Sequence, residues 1–497
     1  MKLSLNGIQD RAAWERAGIA LPAYDVRAMR EKTKENPVWV HFGAGNIFRA
    51  FLCAAMQRVL DSGASDRGVI ACETYDGEII DRAYTAYDNL SLVAIMRADG
   101  KVEKRVVASV AEAVKADEAG LARMREIFRS PSLQMASLTV TEKAYKPENP
   151  MMRMIVSFLS ERYNAGGTPM AIVSMDNCAH NGDKLHAAMM PAAEAMASEG
   201  AVAAGFLDWM RENVAFPNTM IDKITPHPDE QIRQMLVEDG VEDMEIIHTE
   251  KHTATAGFVN AEQAEYLVIE DNFPNGHPPL EKAGMLFTDK ETVDKVEKMK
   301  VGTCLNPLHT ALAILGCLLG FTKISAEMAD DDLSEFVDRL GYVESLPVVE
   351  DPGVLSPKKF LDEVVKLRLP NPFLPDTPQR IATDTSQKLS VRFGHTIGAT
   401  QDKSKLHCVP FVLAAWFRYL TGVDDEGNAF TPSPDPRMEE VRARMANGLS
   451  DELLSDVTLF GHDLVANGMA PVVRAKFSEM MEGKGAVRRA LKKVLSE

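Results

Sequence analysis

The pattern of apolar positions divides the chain into two parts. In the first part, short apolar runs typical of β-strands alternate with stretches of helical spacing. The strand-like runs lie at 37–42, 68–73, 92–96, 106–110, 137–140 and 171–174, and helical spacing occurs at 48–60, 111–128 and 151–163. This alternation predicts an α/β N-terminal domain of the Rossmann type, built on a mostly parallel, doubly wound sheet.

The second part of the chain contains mainly helical patterns. Helical spacing recurs at 311–319, 333–340, 360–367, 411–419, 438–445 and 487–495, with a proline-rich loop at 431–436. Before these helices, residues 265–276 have the pattern of a strand that leaves the sheet, and the stretch 273–285, which carries Pro and Gly, is our candidate boundary. We therefore predict a Rossmann-type domain at 1–285 and a mainly α-helical C-terminal domain at 286–497.

Composition and charge narrow the class of protein. A chain of 497 residues is too long for one core, and 45% hydrophobic with 26% charged residues is ordinary for a globular protein. The formal net charge of −17 argues against nucleic acid or an anionic membrane surface as partner. The net charge does not exclude a small anionic substrate, because the binding of such a substrate depends on the local charge of a pocket.

The cysteines and the N-terminus favour a reducing cytoplasm. The 6 cysteines have neither CxxC nor Cys/His spacing, so we expect no disulfide framework and no metal site. The N-terminus lacks the apolar segment of a signal peptide, and we expect no apolar run of the roughly eighteen residues that a membrane span needs. We expect a cytoplasmic protein without a membrane partner.

Gly43 and Gly45 lie between a strand-like run and a stretch of helical spacing, where a dinucleotide-binding turn belongs. Gly43 permits a tight turn, and Gly45 lets the backbone approach a pyrophosphate at the helix N-terminus. The third glycine of the full motif is absent. Glu73 ends the next strand. A carboxylate at this place binds a ribose diol and disfavours a 2′-phosphate, so Glu73 favours NAD over NADP. The alternative is that Glu73 is an ordinary charge at the end of a strand.

Polar residues follow two further strands. Thr141, Glu142 and Lys143 come after one, and Asn177 after the other, at the carboxyl ends where open α/β sheets bind ligands. A third group, Lys300, Asn306 and His309, places an amine, a carboxamide and an imidazole at the start of an apolar helix.

This third group can polarise a carbonyl and move a proton, since residues three apart share a helical face. The alternative interpretation is structural: Lys300 a solvated charge, Asn306 a cap before Pro307, and His309 a packed core histidine.

Taken together, these motifs resemble the mannitol dehydrogenase family of long-chain polyol and sugar-acid dehydrogenases. The resemblance rests on GAGNIFRA, SLTVTEKAY, SMDNCAHNG, FPNTMIDKITP, VIEDNFPNG and the Lys/Asn/His group, in this order, and on the stretch from Arg380 to Lys388. It implies a Rossmann-type domain, a helical second domain, NAD, a catalytic lysine and no metal.

The resemblance also implies residue roles. Lys300 would be the general acid/base, with Asn177 and Asn306 binding the oxygen that gains charge. Asp222, His309, Arg380 and Lys388 would hold the hydroxyl or acid groups of the substrate. The implied cofactor-binding residues are Gly43, Gly45, Asn46, Ile47, Arg49, Glu73, Thr141 and Glu142.

Two departures from the family pattern stand out. The family lysine usually lies five residues before the asparagine, where this chain has Val301, and Lys300 lies one residue earlier. Because one residue rotates a helical side chain by roughly 100°, Lys300 needs a one-residue bulge or a non-helical entry to the helix; Lys298 is the alternative lysine. The family's Val-Asp-Arg is Ile-Asp-Lys at 221–223, which loses any bidentate role of the arginine.

Lys143 bears on the substrate. Thr-Glu-Lys-Ala-Tyr looks more like the uronate-reducing branch of the family than the polyol branch, and Lys143 could meet a substrate carboxylate. Alternatively, Lys143 pairs with Glu142 or touches the cofactor.

We predict an NAD-dependent enzyme that interconverts a keto-hexuronate and its aldonate, of the D-fructuronate/D-mannonate type, as a monomer or small homo-oligomer. The alternatives are a polyol dehydrogenase acting on mannitol or arabinitol and a non-catalytic dinucleotide-binding protein.

Overall fold

The structure is a computed structural model that describes residues 1–497. The chain forms two compact units: unit 1 contains residues 1–97 and 101–294, and unit 2 contains 98–100 and 295–497. The predicted boundary at 285/286 differs from this division. A short strand, Leu286–Thr288, pairs with Tyr266–Glu270 and so belongs to unit 1; its three residues are too few to give a strand pattern in the sequence.

Unit 1 contains all the strands and eight helices. The strands are β1 (Ile19–Ala20), β2 (Trp39–Phe42), β3 (Val69–Glu73), β4 (Ser91–Met96), β5 (Val102–Val107), β6 (Val110–Lys115), β7 (Met135–Leu138), β8 (Met170–Ser174), β9 (Val214–Ala215), β10 (Thr219–Asp222), β11 (Ile247–His248), β12 (Ala254–Thr255), β13 (Phe258–Glu262), β14 (Tyr266–Glu270) and β15 (Leu286–Thr288). The helices are α1 (Arg11–Arg16), α2 (Val26–Glu35), α3 (Cys53–Asp61), α4 (Glu118–Arg129), α5 (Pro150–Asn164), α6 (Asn181–Ser198), α7 (Phe206–Asn213) and α8 (Glu230–Glu238).

The central sheet of unit 1 has six parallel strands in the order β6-β3-β2-β7-β8-β9. The strand order reverses at β2: the chain continues to β3 and β6 on one side of β2 and to β7, β8 and β9 on the other, as in a doubly wound sheet. Strands β2, β3, β7 and β8 are buried along their whole length, which explains their continuous apolar sequence. The predicted parallel sheet is present.

Helices pack on this sheet through aromatic and aliphatic side chains. Phe42 of β2 lies 6.3 Å, centroid to centroid, from both Phe128 of α4 and Phe158 of α5, and all three are fully buried. Burial of one such side chain contributes about 1.5–3 kcal/mol. The side chains of Asp117 and Asn149 cap α4 and α5 and fix where each helix begins.

Four predicted elements were wrong. Strands β4 and β5 are not in the parallel sheet; they pair antiparallel in a separate four-stranded sheet of order β1-β5-β4-β13. The predicted helix at 111–128 begins as strand β6, because pairing with β3 overrides the helical preference of its Ala and Glu residues. Strand β14 does not leave the main sheet but lies between β10 and β15 in a three-stranded sheet.

Unit 2 is helical, as predicted. Helix α9 (Lys290–Met299) begins in unit 1 and leads into it. The others are α10 (Asn306–Leu319), α11 (Ile324–Glu327), α12 (Asp331–Asp338), α13 (Pro357–Glu363), α14 (Pro378–Ile381), α15 (Leu389–Ala399), α16 (Cys408–Leu420), α17 (Met438–Met445), α18 (Asp451–Leu454), α19 (Val457–Phe460), α20 (Ala470–Met480) and α21 (Ala486–Ser496).

The helical stretch Lys290–Leu319 is long and apolar enough to cross a membrane by length and composition. This corrects the expectation that no apolar run reaches that length. However, 83% of its most apolar window is buried inside the protein. A helix that is hydrophobic all round is also what the core of a large domain requires.

Candidate active site

The glycine turn of unit 1 has the geometry that a dinucleotide phosphate needs. Gly43 has φ +103°, and a Cβ there would lie 2.4 Å from the carbonyl oxygen of Thr139, so only glycine fits. A Cβ at Gly45 would meet nothing within 4 Å, which leaves room for a ligand beside the backbone. A helix begins at the next residue, Asn46, and its free N–H groups and dipole favour an anion. Asn46 and Ile47 are half-buried.

The Glu73 carboxylate holds this turn in place. Its Oε2 accepts a hydrogen bond from Ala44 N at 2.7 Å, and its Oε1 accepts from Tyr75 N at 2.7 Å and Asp76 N at 3.0 Å. A carboxylate offers about four acceptor positions, so roughly one is left for a ribose hydroxyl. The sequence predicted a ribose contact, and the structure adds a positioning role that the sequence did not indicate. These residues fit a bound dinucleotide.

The assignment of Arg49 to the cofactor needs correction. Arg49 is 1% exposed; its Nε donates to Ser91 Oγ and its Nη2 to Ala256 O, both at 2.9 Å. Its guanidinium also lies over the Tyr84 ring. Arg49 therefore joins the helix after the glycine turn to the four-stranded sheet, because its side chain points into the protein and not toward the turn's open side.

The loop after β7 exposes its polar residues. Thr141, Glu142 and Lys143 are exposed, and Glu142–Ala144 form a 3₁₀ turn. Glu142 forms a salt bridge with Lys184 at 2.5 Å, whereas Lys143 forms none. The alternative in which Lys143 pairs with Glu142 is therefore wrong.

The sequence missed Asp176, which ties two strand-end loops together. Its carboxylate accepts from the Tyr145 hydroxyl and, at 3.0 Å, from Val140 N. Burial raises the pKa of Asp176 to about 6, and the bonds from Tyr145 and Val140 oppose that shift. The exposed Asn177 follows immediately, so this network sets where Asn177 lies. Tyr145 and Asp176 both lie in the motifs SLTVTEKAY and SMDNCAHNG, so their positions in these motifs could have pointed to them.

The FPNT motif is structural. The Asn218 side-chain oxygen accepts from Gly182 N at 2.8 Å and Asp183 N at 3.1 Å, and so caps α6. A Cβ on Gly182 would lie 2.5 Å from the carbonyl oxygens of Phe216 and Pro217, so this glycine allows a close backbone approach.

Strand β10 then ends at the buried Asp222. The neighbouring Lys223 is buried too; its ammonium lies 2.9 Å from a carboxylate oxygen of Glu265. Lys223, which stands where the family has an arginine, is therefore engaged in an ion pair with Glu265.

In unit 2, helix α9 continues into a π-helical turn, Lys300–Cys304, before α10 begins at Asn306. A π turn accommodates one extra residue in a helix, which is the irregularity that the spacing of Lys300 requires. Lys300 is 3% exposed, whereas Lys298 is exposed. The interpretation of Lys300 as a solvated charge is therefore wrong.

His309 is not a satisfied core histidine. Its Nε2 is buried without a hydrogen bond and lies 3.5 Å from Asp376 Oδ2, and Asp376 in turn pairs with Arg380. Burial lowers the pKa of His309 to about 4; Asp376 opposes the shift, and Arg392, Arg368 and Arg380 add to it. The imidazole is therefore neutral at pH 7. A small pocket here is lined by His309, Ile324, Ser325, Arg368, Leu369, Asn371, Leu374 and Asp376.

Cationic groups surround this histidine. The Lys388 ammonium donates to the carbonyl oxygens of Thr383 and Ile381. Burial lowers the pKa of Lys388, and the nearby Arg392 lowers it further. The sequence motifs pointed to Arg380 and Lys388 but not to Arg368, Asp376 and Arg392. Of these three, Arg392 was the easiest to recognise from the sequence, because it follows Lys388 by one helical turn.

The profile of the mannitol dehydrogenase Rossmann domain matches residues 38–282, and that of the mannitol dehydrogenase C-terminal domain matches residues 292–481. The chain belongs to the mannitol dehydrogenase family. This confirms the predicted family, the predicted fold class and the prediction of a dehydrogenase.

Individual relatives of this family member are similar over nearly their whole length. D-mannonate oxidoreductase of Thermotoga maritima is 46% identical, covering 100% of this chain and 99% of the relative. Mannitol 2-dehydrogenase of Aspergillus fumigatus is 30% identical, covering 93% of each.

Two solved structures share the fold. D-sorbitol dehydrogenase in substrate-free form is 25% identical with a TM-score of 0.80, over 96% of this chain and 98% of that one. The Pseudomonas fluorescens mannitol 2-dehydrogenase complex with NAD and D-mannitol is 23% identical with a TM-score of 0.70, over 100% of both chains. No group of three or more His, Cys, Asp or Glu side chains is arranged to hold a metal ion.

Proposed function

We propose that the protein is an NAD-dependent oxidoreductase that interconverts a keto-hexuronate and its aldonate, of the D-fructuronate/D-mannonate type. The observation that carries this proposal is the 46% identity, along the whole chain, with a relative named D-mannonate oxidoreductase. The cationic cluster around His309 supports it, because a sugar acid brings a carboxylate that a polyol lacks.

NAD is supported by the Rossmann-domain match and by the glycine turn. When bound, NADH supplies a hydride to the ketone carbon. Gly45 and the helix beginning at Asn46 hold the pyrophosphate. Glu73 fixes the turn and offers its remaining acceptor position to a ribose hydroxyl, and its charge disfavours a 2′-phosphate. Thr141 and Glu142 keep their proposed role beside the cofactor.

Lys300 acts as the general acid in reduction and as the base in oxidation. A ketone that accepts hydride becomes an alkoxide, which takes a proton from the Lys300 ammonium; oxidation returns that proton. Asn306, at the start of α10, donates to the same oxygen and stabilises its charge, and Asn177 keeps the matching role that the family resemblance assigns to it.

The other polar residues bind the rest of the substrate. Asp222 and the neutral His309 hold hydroxyl groups, and Arg380, Lys388 and Lys143 supply positive charge for the acid group. We also propose a cytoplasmic location and a monomer or small homo-oligomer, without nucleic acid or membrane as partner.

A polyol dehydrogenase is the second candidate, and the 30% identity with a mannitol 2-dehydrogenase is the observation that favours it. NADH oxidation with fructuronate, tagaturonate, fructose and xylulose separates the two. We expect kcat/KM to be highest for one of the two uronates. Activity on the neutral ketoses alone would refute the proposal, and no activity on any of the four would favour a protein that binds dinucleotides without turnover.

A further inference from the structure

Arg392 is a half-buried guanidinium whose charge has no anionic partner within the protein. It lies on α15, and its Nη1 donates to the hydroxyl of Thr310, the residue after His309. No carboxylate forms a salt bridge with Arg392. Removing a charge from water is costly unless an opposite charge or several hydrogen bonds compensate it, and a single bond to a neutral hydroxyl compensates the partial burial of Arg392 only in part.

Two buried arginines of the chain show which hydrogen bonds a structural guanidinium makes. Arg162 donates to five backbone carbonyl oxygens, two of them at the C-terminal end of α4 and the other three just before β7 and β8. Arg418 donates to three carbonyl oxygens and the Thr421 hydroxyl. Both groups join segments of the fold. Arg392 is more exposed than either of them and makes one side-chain hydrogen bond instead of four or five, which distinguishes it from a structural arginine.

The charges near Arg392 do not supply the missing anion. Lys388 lies one helical turn before it, and His309 is neutral at pH 7. Asp376 is already paired with Arg380 and close to His309. Burial lowers the pKa of Arg392 to about 10, and no acidic group opposes that shift.

Two further acids lie near Lys388. Asp435 accepts hydrogen bonds from the backbone N–H and the hydroxyl of Ser386. Both Asp384 and Asp435 raise the pKa of Lys388 and so oppose the effect of burial. Neither forms a salt bridge with Arg392, so no acidic side chain of the protein neutralises its charge.

We propose that Arg392 binds the carboxylate of the keto-hexuronate or aldonate and is the residue that selects sugar acids over neutral ketoses and polyols. This inference rests on the proposed function and deepens it. The planar fork of N–H donors in a guanidinium matches the two oxygens of a carboxylate, and the bond to Thr310 fixes the orientation of that fork. Arg380 and Lys388, which already have protein partners, then serve mainly to make the local field positive.

Two substitutions at one position test this assignment. Arg392→Met removes the charge and keeps much of the apolar stem, whereas Arg392→Lys keeps the charge and removes the fork. Arg437→Met is the matched control, because it removes the same charge from unit 2 at a guanidinium that is paired with Glu440 and Asp456. Steady-state NADH oxidation is measured with fructuronate and fructose. Binding of mannonate and mannitol to the enzyme with NADH, a combination that cannot react, is measured by calorimetry.

We expect Arg392→Met to lower kcat/KM for the keto-uronate about 30- to 1,000-fold, as loss of one partner from a buried charged pair does. The loss should fall mainly on KM and on mannonate affinity, while values for fructose and mannitol stay within about threefold or improve. Arg392→Lys should lower kcat/KM at least tenfold for the keto-uronate and leave it unchanged for fructose. This variant tests the role of the guanidinium fork even if the Met variant folds poorly. Arg437→Met should match the unaltered enzyme.

The outcomes separate this inference from the proposal beneath it. If the unaltered enzyme reduces no keto-uronate, the proposed function fails and the role of Arg392 fails with it. If the unaltered enzyme reduces the uronate and both folded variants do so equally well, only the assignment of Arg392 is overturned. An equal loss on acid and neutral substrates also overturns it, because that result indicates a structural role.

Discussion

Replacing Glu73 by Gln tests whether this residue acts on the cofactor directly or through the glycine turn. Gln has nearly the shape of Glu but only one acceptor oxygen, while the Glu73 carboxylate receives three backbone N–H groups, from Ala44 on one oxygen and from Tyr75 and Asp76 on the other. Whichever way the amide is oriented, its NH₂ group faces an N–H donor. At least one buried donor therefore loses its partner.

The size of the effect follows from these bonds. A hydrogen bond to a charged group contributes about 1.5–3 kcal/mol, and an unpaired buried donor costs about 1–3 kcal/mol. Because the glycine turn must be ordered to hold the pyrophosphate, we assign about 3 kcal/mol of this loss to binding. About 1.4 kcal/mol corresponds to tenfold in affinity, so Glu73→Gln should weaken NADH binding about 100-fold.

Fluorescence titrations with NADH and NADPH provide the measurement. Glu78→Gln is the control: its carboxylate lies on the same segment and accepts one bond, from Glu250 N at 3.0 Å, away from the glycine turn. We expect both NADH and NADPH to bind more weakly to Glu73→Gln, NADPH by the smaller factor because the charge that repels its 2′-phosphate is gone, and neither to change in the control. An NADPH affinity that rises while that of NADH falls would refute the positioning role and leave only the ribose contact.

Three further predictions follow from the site and the core. Lys300→Ala should lower kcat/KM about 10²–10⁴-fold with NADH binding unchanged, and Lys298→Ala should do much less; the reverse order would transfer the acid/base role. Burial, aided by Asp330, raises the pKa of Glu327 from 4.5 to about 9, so the wild type loses stability as pH rises through that window. Glu327→Gln should therefore gain relative stability, about 1.4 kcal/mol per pH unit, in urea unfolding between pH 5 and 8; a constant difference would contradict this. Exhaustive EDTA treatment should leave full activity, and a loss restored by zinc or manganese would contradict the metal-free assignment.

The sequence was informative wherever local pattern and final environment agree. Strands β2, β3, β7 and β8 are buried on both faces, so each appears as a mainly apolar run, interrupted only by single buried polar residues such as His41 in β2 and Ser137 in β7. Strand β6 was misread because its alanines and glutamate favour a helix, and only its partner β3 makes it a strand. Hairpin β4–β5 was assigned to the wrong sheet, since sequence pattern does not specify which strands pair.

The same limit applies to the candidate site. Gly43 and Glu73 could be identified because a turn and a strand end carry a local signature. Asp376 and Arg392 contact the surroundings of His309 only after the chain has folded, and they are far from it in sequence. Their relation is tertiary, and the charge balance that makes Arg392 notable exists only in the folded unit.

The π turn at Lys300–Cys304 has a consequence for how this protein could diverge from its relatives. A π turn takes up one inserted residue without shifting the helices on either side. One codon gained or lost there would switch the spacing between the lysine and Asn306 while α9 and α10 keep their places. Two lineages of the family can therefore differ in this spacing and keep the same architecture, and a comparison that demands a fixed interval would pair this lysine with the wrong residue.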